Sequence, residues 1–281
     1  MGSVDGSTVR PRGTVKRLLA ANAWLVYLFF YAPIVVLIAL SFNDNRLVGI
    51  WRGFTLDWYS AMLDNTAVLR AIRASLIVAA LSTVVSTALG TAAALAIERF
   101  RFRGRQAFDA LLYLPVIVPD VTMAVMLLLF FVRAADTVFV VSGAQVRLGL
   151  TTITLSHVAF NISFVAIVVR ARLAGMDPAL EEAAADLYAD RWQTFRRVTL
   201  PQMMPGVLGG ALLALTLSLD DVVITSFVSG PGSTTLPVYV FGLVRRGVTP
   251  LINAVSTAML VASMILVFAS VMLQRGRGTT P

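Results

Sequence analysis

Long apolar stretches alternate with short polar connections along this chain. A membrane-spanning helix needs about 20 mostly apolar residues, and six stretches meet that requirement. They cover residues 20–42, 74–97, 111–132, 148–169, 207–228 and 252–273. Only 14% of the residues are charged, against about 25% in a typical soluble domain. The pattern predicts an all-α integral membrane protein with six transmembrane helices and excludes a soluble globular protein.

The basic residues fall mainly on one side of the predicted membrane. Four precede the first span, four lie between spans two and three, five lie between spans four and five, and two lie in the tail, which leaves 8 of the 23 for the other side. The positive-inside rule therefore places both termini in the cytoplasm, which fits a prokaryotic inner membrane. The same distribution explains the pI of about 10.7 without a nucleic-acid partner. Residues 1–17 are predicted to form a mobile cytoplasmic arm, 18–275 a transmembrane domain and 276–281 a cytoplasmic tail.

Several kinds of chemistry are excluded by residue content. The chain has no cysteine and one histidine, so no cysteine or histidine metal cluster is expected. No GxxxxGK[ST] phosphate-binding loop is present, so the chain is not itself an ATPase. His157 and Asn161 lie four residues apart in the fourth span. They are expected to make interhelical hydrogen bonds, and no functional site is assigned there.

Two spans contain features that affect helix packing and continuity. The second is rich in small residues, including Gly90 and Ala94 at a spacing of four, which allows close helix approach in lipid. The third contains Pro115 and Pro119, followed directly by Asp120. Prolines remove backbone donors and kink helices. A carboxylate next to such a kink is a candidate residue of a transport pathway.

The connection over residues 170–206 is the longest cytoplasmic one and predicts a pair of short helices. The first begins at Asp177–Pro178 with two glutamates in its first turn, a favourable helix start. The second covers about residues 190–198. It carries an apolar stripe of Trp192, Phe195 and Val198. The stripe could lie on the lipid surface or in a groove of a soluble partner, and the pattern alone does not choose between them.

Residues 182–201, EAAADLYADRWQTFRRVTLP, resemble the EAA loop of ABC importer permeases. The matching positions are Glu182, Ala183, Ala184, Ala189, Phe195, Leu200 and Pro201. One position differs, because Tyr188 stands where the family usually has a glycine in the turn between the short helices. A tyrosine adopts positive φ only at a cost. The bend is therefore expected either to be built differently or to be anchored by the aromatic ring.

The resemblance implies that this coupling-helix segment, residues 178–201, docks into a separate ATPase subunit. The residues implied in coupling are Glu182, Ala183, Ala184, Leu187, Phe195, Leu200 and Pro201. The implied partners are an ATPase dimer that binds ATP and Mg, a second related permease subunit and an external substrate-binding protein, with membrane lipid around the chain. No cofactor is expected in this chain.

The fifth span contains adjacent acids in LTLSLDDVVITSFVSG, residues 215–230. A charge in the bilayer costs at least about 2.5–3.5 kcal/mol. Asp220 and Asp221 could be paired inside the assembly, or could form with Asp120 a site for a cationic substrate, with Tyr113 adding a cation–π contact. On a continuous helix they diverge by about 100°. Asp221 then shares a face with small residues, which favours Asp220 for the pathway.

This region resembles that of spermidine/putrescine permeases, specifically their second permease subunit. The resemblance implies a permease of an ATP-driven polyamine importer that receives substrate from the external binding protein. One alternative is the same importer class with another cationic or amino-organic cargo. Another is a gradient-driven secondary transporter whose acids bind protons or sodium ions. The external segment 230–250 would contribute to the outer gate and binding-protein contact, or would be a plain connector.

Overall fold

The structure, a computed structural model, describes residues 13–45, 50–145, 147–245, 247 and 249–275. Within these ranges the chain is almost entirely helical. The helices are α1 Gly13–Leu40, α2 Asp57–Asp64, α3 Thr66–Arg99, α4 Arg105–Ile117, α5 Asp120–Ser142, α6 Leu150–Ala174, α7 Ala179–Asp186, α8 Arg191–Thr194, α9 Leu200–Asp220, α10 Val223–Val228, α11 Leu236–Val244 and α12 Pro250–Arg275. A π-helical turn, Phe195–Thr199, joins α8 to α9.

Six of these segments account for the membrane spans. Four are contained in α1, α3, α5 and α6, and a fifth is the continuous helical stretch Arg191–Asp220; all are long and apolar enough to cross a bilayer. The sixth is α12, which has 26 residues and is apolar over Pro250–Ile265. The prediction of an all-α membrane protein with six spans is confirmed. Most of the predicted arm, residues 1–12, and the predicted tail, residues 276–281, lie outside the described residues.

Two predicted spans are each divided into two helices, one near Pro119 and the other after Asp220. The predicted third span, 111–132, is divided between α4 and α5, because Pro119 adopts an extended ψ of 137° immediately before α5. The predicted fifth span, 207–228, ends as a helix at Asp220 and resumes at Val223. Treating residues 207–228 as one continuous helix was therefore wrong, and the two acids lie at its break.

The core of the bundle is formed by α3, α6 and α9, which are packed closely through small residues. A Cβ added at Gly90 would lie 2.8 Å from the carbonyl oxygen of Ile162 on α6. One added at Gly206 would lie 2.6 Å from Cβ of Arg172, also on α6. Fully buried Val165 lies at the centre of this contact. Close approach of small residues is what drives helix association in lipid, and it was predicted from the second span.

Candidate functional site

The break between α9 and α10 is stabilised by the side chain of Asp221. Its carboxylate accepts hydrogen bonds from the backbone N–H of Ile224 at 3.2 Å and of Thr225 at 2.7 Å. It also accepts one from the Thr225 hydroxyl at 2.7 Å. The first N–H groups of a helix have no partner within the helix. Asp221 therefore caps α10, and its charge lies at the favourable end of that short helix.

His157 of α6 contacts the same carboxylate from the other side. Its Nε2 lies 3.3 Å from Oδ2 of Asp221 and 3.0 Å from Oγ1 of Thr225, and its side chain is fully buried. One turn along α6, Asn161 donates to the hydroxyl of Ser218 at 2.8 Å. His157 and Asn161 thus bond to the α9–α10 region, as expected for interhelical contacts. Sequence reasoning did not connect His157 with Asp221, because no local pattern links residues 64 positions apart.

Asp220 has a different environment from its neighbour. Its side chain is exposed and makes no hydrogen bond or ion pair with the described part of the chain. It lines a cavity of about 530 Å³ between the end of α9 and α12. The cavity wall also presents Ser256 and Ser263 among apolar side chains. The arrangement leaves a free carboxylate facing a cavity large enough for a small organic cation.

The other two predicted pathway residues lie elsewhere. Asp120 is the exposed first residue of α5, directly after the Pro119 break. Tyr113 lies on α4, where the guanidinium of Arg170 is 5.8 Å from the centre of its ring and 3.3 Å from its hydroxyl. Neither residue lines the cavity beside Asp220.

Arg170 of α6 connects three helices through its guanidinium. Its guanidinium contacts Glu98 of α3 at 2.9 Å and Asp109 of α4 at 2.5 Å, while Tyr113 packs against its face. The side chain of Arg170 is only 20% exposed. The face of the Tyr113 ring is therefore already occupied by a cation of the protein itself.

The turn after α7 has the hydrogen bonds of a Schellman motif. The N–H of Ala189 bonds to the carbonyl of Ala184 at 3.0 Å, and the N–H of Tyr188 bonds to that of Ala185 at 2.9 Å. This motif requires a left-handed residue after the helix, usually glycine. Tyr188 occupies that position with φ of 59°, and its side chain is 97% exposed. Both expectations for this bend were wrong, because the left-handed turn is retained and the ring anchors nothing among the residues that the structure describes.

The second short helix also differs from the prediction. Only Arg191–Thr194 form an α-helical turn, and the π-helical turn then leads directly into α9. The predicted apolar stripe is divided: Trp192 is 66% exposed, whereas Phe195 stacks on it at 5.8 Å and packs against the core. The segment is therefore the first part of the fifth spanning helix rather than a separate helix.

The predicted coupling residues divide into exposed and packed groups. Glu182 and Ala183 are exposed on α7 and Leu187 is exposed directly after it, whereas Ala184 is buried against the rest of the chain. Leu200 is half-buried, packing against the core, and Pro201 is exposed in the first turn of α9. Each exposed residue is accessible to a partner.

Sequence reasoning missed the residue that attaches α7 to the membrane helices. Glu181 receives two hydrogen bonds from Arg99 at the end of α3, at 2.6 and 2.5 Å. The hydroxyl of Thr199 in the π-helical turn donates to the same carboxylate at 2.7 Å. The motif includes the adjacent Glu182 but not Glu181. From the sequence, Glu181 was therefore interpreted only as a favourable negative charge at the start of a helix.

The segment predicted to be external, residues 230–250, contains the helix α11 rather than only a connector. In it, α11 packs against α3 and α12, and the N–H of Leu236 bonds to the hydroxyl of Ser75 at 2.8 Å. At its start, a Cβ on Gly230 would lie 1.8 Å from the carbonyl oxygen of Leu148. Glycine is required there by the close approach of two backbones.

Comparison with known proteins identifies the family. The family model described as "Binding-protein-dependent transport system inner membrane component" matches residues 86–276. The chain belongs to this family. Its members are membrane subunits of ABC transport systems and not enzymes, which confirms the resemblance found in the coupling segment.

Relatives within the family cover most of the chain. It is 45% identical over 237 residues to "Putrescine transport system permease protein PotI" of Escherichia coli strain K12, covering 84% of this chain and 83% of PotI. It is 38% identical over 252 residues to "Spermidine/putrescine transport system permease protein PotC" of the same strain, covering 90% of this chain and 92% of PotC.

Solved structures show the same fold at lower identity. A chain of a bacterial ABC transporter "involved in the import of the acidic polysaccharide alginate" matches with a TM-score of 0.77 at 22% identity, over 95% of this chain and 96% of that one. A chain of the MetNI methionine ABC transporter matches with a TM-score of 0.59 at 15% identity, over 80% of this chain and 99% of that one. These likenesses support the fold of a binding-protein-dependent permease.

Proposed function

We propose that this permease subunit carries polyamines, such as putrescine or spermidine, across the inner membrane in an ATP-driven importer. Its relatives PotI and PotC are named for these substrates. Membership of a binding-protein-dependent family argues against the gradient-driven alternative. The structural observation that carries the proposal is the carboxylate of Asp220, which has no partner among the described residues and lines the cavity between α9 and α12.

The chemistry of the Asp220 cavity suits an ammonium group. A carboxylate in a membrane span costs at least about 2.5–3.5 kcal/mol, and Asp220 has no partner in the described chain that offsets this cost. A cationic substrate supplies the missing charge, whereas a neutral or anionic substrate does not. The hydroxyls of Ser256 and Ser263 on the same wall can accept further ammonium hydrogens. Asp221 is committed to capping α10 and to His157, so it shapes the site rather than contacting the cargo.

Asp120 and Tyr113 are proposed to act at another stage of the same pathway. Asp120 is exposed at the break between α4 and α5, where it can attract a second ammonium group of an elongated cation. The face of Tyr113 is occupied by Arg170. Tyr113 is 38% exposed, so a polyamine contacts the part of the ring that Arg170 does not cover.

The partners are proposed from the surfaces that the chain presents. An ATPase dimer that binds ATP and Mg docks on the exposed surface of α7 and its C-terminal end, which includes Glu182, Ala183 and Leu187. The cytoplasmic side is the one bearing the basic connections, and both termini lie there. A second, related permease completes the translocation unit. An external binding protein delivers substrate near α11; one solved relative of this fold is a complex with a "periplasmic protein".

Transport in proteoliposomes tests the proposal. The permease pair is reconstituted with its ATPase and binding protein, and ATP-dependent uptake of radiolabelled putrescine is measured. We expect Asp220→Asn to lower uptake about tenfold, equivalent to about 1.4 kcal/mol, while the amount of assembled complex is unchanged. Asp136→Asn is the matched control, because Asp136 is an exposed carboxylate on α5 without a side-chain contact in the described chain.

Three results would contradict parts of this proposal. Normal uptake by Asp220→Asn would exclude Asp220 as a substrate contact. Uptake that proceeds without the ATPase subunit would exclude the ATP-driven importer. Competition by another amino-organic cation, with none by putrescine or spermidine, would replace the polyamine with that cargo.

A further inference from the structure

The helix α7 is attached to the membrane bundle through few contacts. Ala184 is its only buried residue in the described structure. A groove of about 510 Å³ separates α7 from the ends of α3 and α8. Glu181 and Arg99 both line this groove, and their side chains join across it.

Glu181 links α7 to two spanning helices at once. The paired hydrogen bonds from Arg99 connect it to α3, and the bond from Thr199 connects it to the π-helical turn that begins the fifth span. Those two helices pack directly on each other in the core. This one carboxylate therefore contacts both spanning segments. Single π-helical turns inside α-helices often mark functional positions.

We propose that Glu181 is a positioning residue that transmits movement of α7 to α3 and to the fifth spanning helix. The inference rests on the proposed docking of an ATPase on α7. The side chains of Arg99 and Glu181 are 37% and 24% exposed, and pairs this exposed contribute little to folding stability. A two-point guanidinium–carboxylate contact does, however, fix the relative orientation of its partners. Its loss therefore changes the efficiency of coupling more than the stability of the protein.

Charge reversal and its compensation test this role in the complete transporter. Glu181→Arg, Arg99→Glu and the double swap are reconstituted with the ATPase, the second permease and the binding protein. The measured quantity is radiolabelled putrescine imported per ATP hydrolysed. Each single reversal is expected to lower this ratio about threefold or more, with normal copurification of the ATPase, and the double swap is expected to restore at least half of it.

Two further variants separate coupling from folding. Glu181→Gln keeps the shape and the hydrogen bond from Thr199 but removes the charge, so it reports on the ion pair even if a reversal prevents assembly. Arg101→Glu makes the same charge change two residues from Arg99, at an exposed side chain without a contact in the described chain. This control is expected to keep the ratio of the unmodified transporter.

The outcomes distinguish this inference from the docking proposal. An unchanged ratio in both Glu181→Gln and Arg99→Glu overturns the role of Glu181. Failure of the double swap to recover, with both single variants impaired, also overturns it, because the pair then does not act through its own contact. Failure of the ATPase to copurify with the unmodified permease overturns the docking proposal and removes the basis of the inference.

Discussion

Tyr188→Gly should stabilise the turn after α7. Tyr188 has φ of 59°, in the left-handed region that costs an L-residue about 1–2 kcal/mol. Its ring is 97% exposed, so removing the ring eliminates no packing contact among the described residues. The two hydrogen bonds of the turn are donated by backbone N–H groups and are retained in the variant.

The expected gain follows from two opposing contributions. Relief of the left-handed strain provides about 1.5 kcal/mol. The additional backbone freedom of glycine favours the open turn by about 0.7 kcal/mol and so reduces the gain. The difference of about 0.8 kcal/mol corresponds to a roughly fourfold change in the equilibrium between the open and closed turn.

Hydrogen–deuterium exchange measured by mass spectrometry tests this value. After correction for intrinsic rates, the amide of Ala189 should exchange roughly fourfold more slowly in Tyr188→Gly than in the unmodified protein. Tyr188→Ala is the control, because alanine removes the ring but keeps the left-handed strain, and its exchange should not slow. Equal slowing in the two variants, or no slowing in Tyr188→Gly, would refute the argument that the turn stores backbone strain.

Three further substitutions test the packing and polar contacts of the bundle by thermal unfolding in detergent. Gly206→Ala should destabilise the protein by about 1–3 kcal/mol, because the new Cβ would lie 2.6 Å from Cβ of Arg172. In the control Gly209→Ala the new Cβ lies 3.7 Å from Val168 and should be tolerated. Equal loss of stability in the two variants would contradict the packing argument. Asp221→Leu should lower the free energy of unfolding by about 2–4 kcal/mol, because it removes a helix cap and a buried hydrogen bond. Asp220→Leu should not lower stability. A larger loss of stability in Asp220→Leu than in Asp221→Leu would contradict the assigned roles. Arg170→Ala should lower the free energy of unfolding by about 1–2 kcal/mol, because it removes two partly buried ion pairs. Arg103→Ala is the exposed control. Unchanged stability of Arg170→Ala would show that the Arg170 contacts are not stabilising.

Much of the membrane architecture could be predicted because each span carries its signal locally. About 20 apolar residues identify a spanning helix, and α3 and α6 lie close to where that rule places them. The breaks are harder to predict. Pro119 ends α4, but Pro205 lies inside continuous α9, so proline alone does not determine where a membrane helix stops. Freed backbone groups can be satisfied by the surrounding structure, which the linear sequence does not reveal.

The coupling segment shows a similar division between local motif and distant contact. The motif identified α7, but the expectation that Tyr188 would alter the following turn was wrong, because the turn stays left-handed with tyrosine in place of glycine. The attachment of α7 depends on Arg99 and Glu181, which are 82 residues apart. No spacing rule joins them, because the contact exists only after α3 and the fifth spanning helix have packed together.

Asp221 lies beside Thr225 as the sequence predicts, although the continuous helix on which that prediction was based is not present. On a continuous helix, Asp221 and Thr225 would share a face because they are four residues apart. The helix ends at Asp220, yet Asp221 still contacts Thr225, because a capping carboxylate also bonds near the start of the following helix. That cap and His157 offset the charge of Asp221 inside the bundle. The exposed Asp220 has neither compensation in the described chain, and it lines the cavity shared with α12. The same break therefore gives Asp221 a capping role, while Asp220 carries the substrate contact that we propose.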